Sequence, residues 1–271
     1  MSLRIQTNIE AFNAHRNLVN TQHQLATAME RLSSGFRINR AADDAAGLAI
    51  SEKLQSQIGG LDQAQRNGQD AVSLVQPGEG ALAEVLSMLP RVRDLAVQFN
   101  NGTLAAADQA AITAEVAQLC AEVSDIGSQT SFNGTSLLNG TSTITFQVGA
   151  NDGETLTVSR VNLFGAGASY NVDSAVFTFS GTVSLSSIDA AIQNVSNSRS
   201  TFGSVQNRLD HRLNNLATYQ ENLTSSLSGI KDVDMASEMV NFTKLQILNQ
   251  AGTAMLAQAN TAPQAVLTLL H

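Results

Sequence analysis

The sequence lacks tryptophan and has only two tyrosines, three prolines and one cysteine among its 271 residues. Because a single cysteine cannot pair within the chain, we expect no intramolecular disulfide and no cysteine-based metal site. Few aromatic residues and prolines, together with many Ala, Gln, Asn, Ser and Thr residues, are typical of long helices that pack through small side chains. The composition therefore favours helical arms over an aromatic-rich globule.

Positive charge is also scarce. The formal net charge is −8, and no segment carries the stripe of Lys and Arg that phosphate binding requires, so we expect no nucleic-acid partner. No run of eighteen apolar residues occurs, which argues against membrane insertion. The N-terminus lacks the apolar stretch of a secretory leader, so ordinary rules predict a cytosolic protein unless another export route exists.

Long apolar seams dominate the sequence that remains. One apolar residue recurs at every seventh position between residues 188 and 230, which predicts a helix of roughly 65 Å. The seam consists of Ile188, Val195, Phe202, Leu209, Leu216, Leu223 and Ile230. The expected companion positions, from Leu185 through Arg199 to Leu227, alternate between apolar and polar. Such a helix suits a rod, although one helix of an internal bundle has the same pattern.

A second heptad near the N-terminus consists of Leu18, Leu25 and Leu32. The helix that it predicts should end at Ser33–Gly35, because serine competes for backbone hydrogen bonds and glycine accepts the left-handed conformation. After a connector over residues 37–42, Asp43 or Asp44 is expected to cap the next helix.

Two prolines fall in the segment after this cap. Pro77 is followed by Gly78, and the pair predicts a restart or a kink. Pro90 predicts a kink or a local break, with a short separate helix over residues 78–89 as the competing interpretation. A further heptad over residues 105–128 places Cys120 beside the seam, where it is interpreted as a small buried hydrophobe.

The pattern changes after Thr130. Residues 143–148 and 155–158 alternate with period two around the turn Asn151-Asp152-Gly153, which predicts a β-hairpin. Residues 176–179 predict one further strand. From residue 239 onwards Lys244 is the only charged side chain apart from a protonated His271, and such a helix is expected to be buried between subunits.

Motifs of catalysis are not found. The sequence has no phosphate-binding glycine loop, nucleophile elbow or Cys-x-x-Cys motif. His15 and His23 lie eight residues apart, but no HExxH pattern accompanies them, so they are interpreted as polar surface residues. We therefore expect neither an enzyme nor a cofactor.

Long motifs at both ends resemble those of a known family. Residues 28–39 and 41–51 resemble the amino-terminal signature of bacterial flagellin, and residues 246–252 and 254–260 are similar to its closing signature. Residues 93–98, 132–134 and 146–151 match as well. Motifs this long are highly specific.

The resemblance implies a mainly α fold, a long antiparallel coiled-coil-like rod with one small β-hairpin region between two helical arms. The implied parts are an inner-tube helix with its connector (1–42), a rod domain with its β segment at about 141–180 (43–184), a long rod helix (185–230) and a second inner-tube helix (231–271). The implied function is self-assembly into the extracellular filament of the flagellum for swimming. Implied partners are the export apparatus, its chaperone, and the cap and hook-associated proteins.

The resemblance also places the patch used by the flagellin-sensing Toll-like receptor at Arg91, Leu95 and Glu115, with Leu95 expected as an apolar anchor between two charged groups. Ordinary helix-surface packing is the alternative. Two other functions stay open. A hook–filament junction protein has similar terminal helices, and some flagellins carry a zinc peptidase, although residues 141–184 contain no histidine.

Overall fold

The computed structural model describes residues 8–163, 179 and 183–269. Over these residues the fold is mainly α, with a small β region between two helical arms, which confirms the predicted fold class. The elements are α1 (Ile9–Ser34), α2 (Ala45–Phe99), α3 (Ala106–Gln129), β1 (Ser131–Phe132), β2 (Thr135–Ser136), β3 (Thr143–Gln147), β4 (Thr155–Ser159), α4 (Leu185–Lys231) and α5 (Met235–Leu269).

The chain divides into two compact units. The terminal unit comprises Met1–Ser56 and Asn222–His271, and the central unit comprises Gln57–Glu221. Helices α1 and α5 lie in the terminal unit, whereas α3 and the four strands lie in the central unit.

In the terminal unit α1 packs along α5. Asn8 caps α1 by accepting the N–H of Ala11 at 3.0 Å, and its side-chain amide donates to the carbonyl of Ala259 of α5 at 2.7 Å. As the serine–glycine stop predicts, α1 ends at Ser34, and the following Gly35 has a φ of 75° and donates its N–H to the carbonyl of Arg31.

The connector after α1 is held against the junction between α4 and α5. The N–H of Arg37 donates to the carbonyl of Lys231 at 2.7 Å, and the N–H of Val233 donates to the carbonyl of Gly35 at 3.0 Å. The ammonium of Lys231 lies 4.7 Å from the centroid of the Phe36 ring, within range of a cation–π contact. These contacts fix the path of the chain between the two arms.

The two adjacent aspartates, either of which the sequence predicts as the cap of α2, have different roles. Asp44 caps α2, because its Oδ1 accepts the N–H of Gly47 at 2.9 Å. Asp43 holds the connector instead, since its Oδ2 accepts the N–H groups of Arg40 at 3.0 Å and Asn39 at 3.2 Å. These hydrogen bonds to Arg40 and then Asn39 lower the pKa of the Asp43 carboxyl below its usual value.

The lowered pKa predicts an acid-sensitive connector. Since the folded pKa of Asp43 lies below its unfolded value of about 3.9, its contribution to stability is complete above that pH and is lost as the pH falls through the folded pKa. Hydrogen exchange at the amides of Asn39 and Arg40, corrected for intrinsic rates, should therefore show protection that declines on acidification. Asp43→Asn should give weak protection with little pH dependence, and an unchanged pH profile in that variant would contradict the prediction.

Helix α2 runs unbroken through both Pro77 and Pro90, so the predicted restart at Pro77, the break at Pro90 and a separate helix over residues 78–89 are wrong. Both prolines lie on the exposed side of α2. Leu82 and Leu89, in contrast, are fully buried. Burial of the apolar face holds the helix together, while carbonyls on the solvent side can bond to water when a proline removes their partner.

Helices α2, α3 and α4 form the core of the central unit, together with residues of the β region. Cys120 of α3 lies in this core. The companion row of the α4 seam differs from the expected one, because the buried residues are Ala191, Ser198 and Val205. Arg199 lies instead at the surface, where its Nε is 2.6 Å from Oε1 of Glu79.

The β region contains two antiparallel pairs. Strands β3 and β4 form the predicted hairpin, with Ile144 opposite Val158 and a turn in which Gly153 has a φ of 83°. Strands β1 and β2 form a shorter pair, whose turn residues Asn133 and Gly134 both have positive φ. The strand predicted at residues 176–179 lies outside the described residues except for Phe179.

Candidate assembly surface

Exposed apolar side chains concentrate on the terminal unit. Thirteen large hydrophobic residues are exposed among the described residues, and eleven of them belong to this unit. They are Ile9, Phe12, Met29, Phe36, Ile50, Met235, Met239, Val240, Ile247, Leu248 and Met255. Such a concentration of exposed apolar side chains indicates a surface for association rather than a fully solvated one.

Helix α5 contributes most to this exposed apolar surface, because it is rich in apolar residues and poor in charged ones. In this helix Leu245 is buried, whereas Val240 and Ile247 are 70% and 66% exposed. Because Lys244 is the only charged residue between 239 and 261, few ionic groups separate these side chains from a partner. On the other helix of the pair, Phe12 is 69% exposed.

A groove of about 390 Å³ lies between α1 and α5. Leu18 lines it from α1, and Leu248 and Met255 line it from α5. A Cβ atom built on Gly252 would lie 3.2 Å from Cδ1 of Leu18, so the glycine allows the two helices to approach closely. The groove is largely apolar and could receive side chains of another subunit.

The predicted seam residues occupy two environments. Ile188, Val195, Phe202, Leu209 and Leu216 are buried in the central unit. Leu223 and Ile230, which lie in the terminal unit, are only half-buried. In α1, Leu18 is buried and Leu25 and Leu32 are half-buried. The part of the seam in the terminal unit thus keeps apolar surface that the subunit itself does not cover.

The three residues of the predicted receptor patch differ in exposure to solvent. Arg91 and Glu115 pair at 2.6 Å across the exposed sides of α2 and α3. Leu95 is only 2% exposed and belongs to the core, so the expectation of an exposed apolar anchor there needs correction. The accessible part of the patch is the ion pair, and recognition by a receptor stays a prediction.

A further ion pair links α2 to α4 at the surface of the central unit. Nε of Arg93 lies 2.6 Å from Oδ1 of Asp189, and this hydrogen bond raises the pKa of the guanidinium. Since both side chains are exposed, solvent screens the pair and its contribution to stability is small.

Within the described residues no three His, Cys, Asp or Glu side chains come together in a way that could hold a metal ion. None of the helices described is both long and apolar enough to cross a membrane.

Paired terminal helices with an uncovered apolar face, in a chain whose central unit has its own packed helical core, are typical of a structural subunit. Family comparisons identify the subunit more closely. Residues 5–143 match the bacterial flagellin N-terminal helical region, and residues 185–270 match the bacterial flagellin C-terminal helical region.

Two curated relatives match along nearly their full length. The chain is 50% identical to a flagellin of Halalkalibacterium halodurans over 98% of this chain and 99% of the relative. It is 44% identical to a flagellin of Bacillus subtilis over 99% and 100% of the two chains. A solved flagellin of Bacillus cereus is 38% identical over 56% of this chain and 88% of that chain, with a TM-score of 0.47.

The chain therefore belongs to the bacterial flagellin family. Flagellins are the structural subunits of the extracellular flagellar filament, and motility follows from membership of this family of structural proteins. The resemblance read from the terminal motifs is confirmed.

Proposed function

We propose that this chain polymerises through its paired terminal helices, α1 and α5, which supply the inner contacts of the filament. The main support for this proposal is the concentration of exposed apolar side chains on the terminal unit. Burying these side chains between subunits would contribute about 25 cal/mol for each Å² of apolar surface removed from water. Coiled-coil packing of the half-buried seam residues Leu25, Leu32, Leu223 and Ile230 against neighbouring subunits belongs to the same proposal.

The domain scheme follows from this role. Residues 1–42 and 231–271 form the inner tube, and residues 43–184 and 185–230 form the layer around it. Delivery to the growing filament requires the flagellar export apparatus and its chaperone, and the cap and hook-associated proteins complete the list of partners. The subunit would then act outside the cell, with no nucleic acid and no membrane insertion.

The test is polymerisation of the purified chain. Monomers obtained by heating and then recooled should form long filaments of uniform diameter in electron micrographs. Persistent monomers, or amorphous aggregates without a helical repeat, would contradict the proposed function. The alternative of a junction protein predicts short, capped assemblies that do not elongate when monomer is added.

Recognition by the flagellin-sensing Toll-like receptor is a second proposal, supported by the exposed Arg91–Glu115 pair. Arg91→Ala should reduce activation of receptor-bearing cells by the monomer, because a hot-spot arginine typically contributes about 2 kcal/mol or more to binding. Leu95 must stay intact in this test, since its truncation would remove core packing that contributes about 2–5 kcal/mol to stability.

Arg66→Ala is the matched control for this test, because Arg66 lies exposed on the same helix and bonds only to the neighbouring Gln63 among the described residues. Equal activation by the Arg91→Ala variant and the wild-type chain would exclude the patch as the recognised surface.

A further inference from the structure

A basic groove lies beside the hairpin of the central unit. Arg208, His211 and Arg212 line it from one face of α4, and its volume is about 440 Å³. The buried residues Val148 and Leu156 line its hydrophobic side. A chain with a formal charge of −8 thus gathers two arginines and a histidine at a single place.

Neither arginine of this groove forms an ion pair with the described residues, although Arg212 lies close enough to Glu154 of the hairpin to help lower the pKa of that carboxyl. The ion pairs of the described residues employ other arginines, at positions 40, 91, 93 and 199. Arg208 and Arg212 are exposed, and neither pairs with a carboxylate of the described residues. These guanidinium groups are therefore available to a carboxylate of another molecule.

The complementary charge lies on α3. This helix carries four carboxylates, at Asp108, Glu115, Glu122 and Asp125, and contains no Lys, Arg or His. Asp108 accepts the N–H of Ala105 at the start of the helix, and Glu115 pairs with Arg91. Glu122 and Asp125 lie one turn apart, are exposed and form no ion pair with the described residues.

We propose that the basic groove of one subunit binds Glu122 and Asp125 on α3 of a second subunit. The inference rests on the proposed self-assembly and names one of its contacts. A contact between two different surfaces of identical chains is heterologous, and it continues from subunit to subunit as a helical polymer requires. The spacing suits the pairing, because residues three and four apart on a helix are separated by about 4.5 and 6 Å along the axis.

Charge reversal tests this pairing. The double variant Arg208→Glu, Arg212→Glu should raise the critical concentration for polymerisation about tenfold, because two attractive pairs become two repulsive ones, and tenfold corresponds to about 1.4 kcal/mol. Adding Glu122→Arg and Asp125→Arg to the same chain should restore polymerisation to near the wild-type critical concentration. Sedimentation of filaments formed after heating and recooling measures both.

The control is Arg66→Glu, Gln69→Glu, Gln76→Glu, which changes the net charge equally at exposed positions of α2 in the central unit. This control should polymerise like the wild-type chain, and all variants should keep the helical content and melting temperature of the wild-type monomer. An unchanged critical concentration after reversal of the groove would overturn the inference, as would a loss that reversal on α3 does not restore. Retention of the monomer on a sulfated polysaccharide column that the groove variant alone abolishes, without a change in polymerisation, would assign the groove to an acidic polymer instead. Failure of the wild-type chain to polymerise would contradict the proposed function itself. A defect confined to the groove variants, in contrast, concerns only the proposed contact.

Discussion

A chain that ends at residue 238 should keep a folded central unit and lose the ability to form filaments. The core of the central unit consists of residues between 71 and 209, so the deletion removes none of it. The deletion does remove most of α5, with Val240, Ile247 and Met255 among its exposed apolar residues. Circular dichroism should show a helical, cooperatively melting protein, and electron microscopy should show no filaments after recooling.

Point variants sharpen this prediction. Ile247→Asp leaves the monomer intact, because the side chain is exposed there, but it would place a carboxylate in an apolar contact of the polymer at a cost of several kcal/mol. Gln246→Asp, at the exposed neighbouring position, adds the same charge without removing apolar surface and should have the smaller effect. Filaments from the truncated chain, or equal effects of the two aspartates, would show that α5 does not assemble through its apolar face.

Replacing Pro90 with glutamine should raise the free energy of unfolding by up to about 3 kcal/mol, the cost of an interior helical proline. The gain is expected because α2 continues through this position, so glutamine can donate the N–H that proline lacks to the carbonyl of Leu86. Pro77→Gln should stabilise for the same reason. Urea denaturation of the monomer measures both changes.

Ser87→Gln is the control, since Ser87 is exposed one turn earlier on the same helix and its substitution should change stability by no more than about 0.5 kcal/mol. An unchanged or lower melting temperature of the Pro90→Gln variant would mean that the surrounding packing already depends on the proline. A kink at Pro90 without a break stays a prediction.

The large elements are predictable because burial repeats along them. Every seventh residue of α4 from Ile188 to Leu216 is buried, and this periodicity is visible in the sequence. The second row of buried residues in α4 is harder to predict from the sequence. Ala191 and Ser198 of this row are small, so they are buried without being strongly hydrophobic. The α3 helix and the β3–β4 hairpin likewise follow from local patterns.

The errors concern which side of a helix faces the core. Pro77 and Pro90 predict breaks only if the side of the helix on which they lie is left out of account. The heptad of Leu82 and Leu89 already indicates that Pro90 does not lie on the buried side. Leu95 has a similar signal, since it lies three residues after Val92 and four before Phe99, both of which are buried. Pairing between distant residues, such as Arg37 with the carbonyl of Ile230, has no signal in a single sequence.

The position of Cys120 has a practical consequence for labelling the protein. The residue is the only cysteine of the chain and is 4% exposed, and thiol reagents react with accessible thiolates. A cysteine introduced at an exposed site such as Asp152, in the hairpin turn, should therefore react with the dye much faster than Cys120 in the native subunit. Cys120 does not have to be replaced. Fluorescent subunits with one dye each, at a known position, can then be prepared without altering the core.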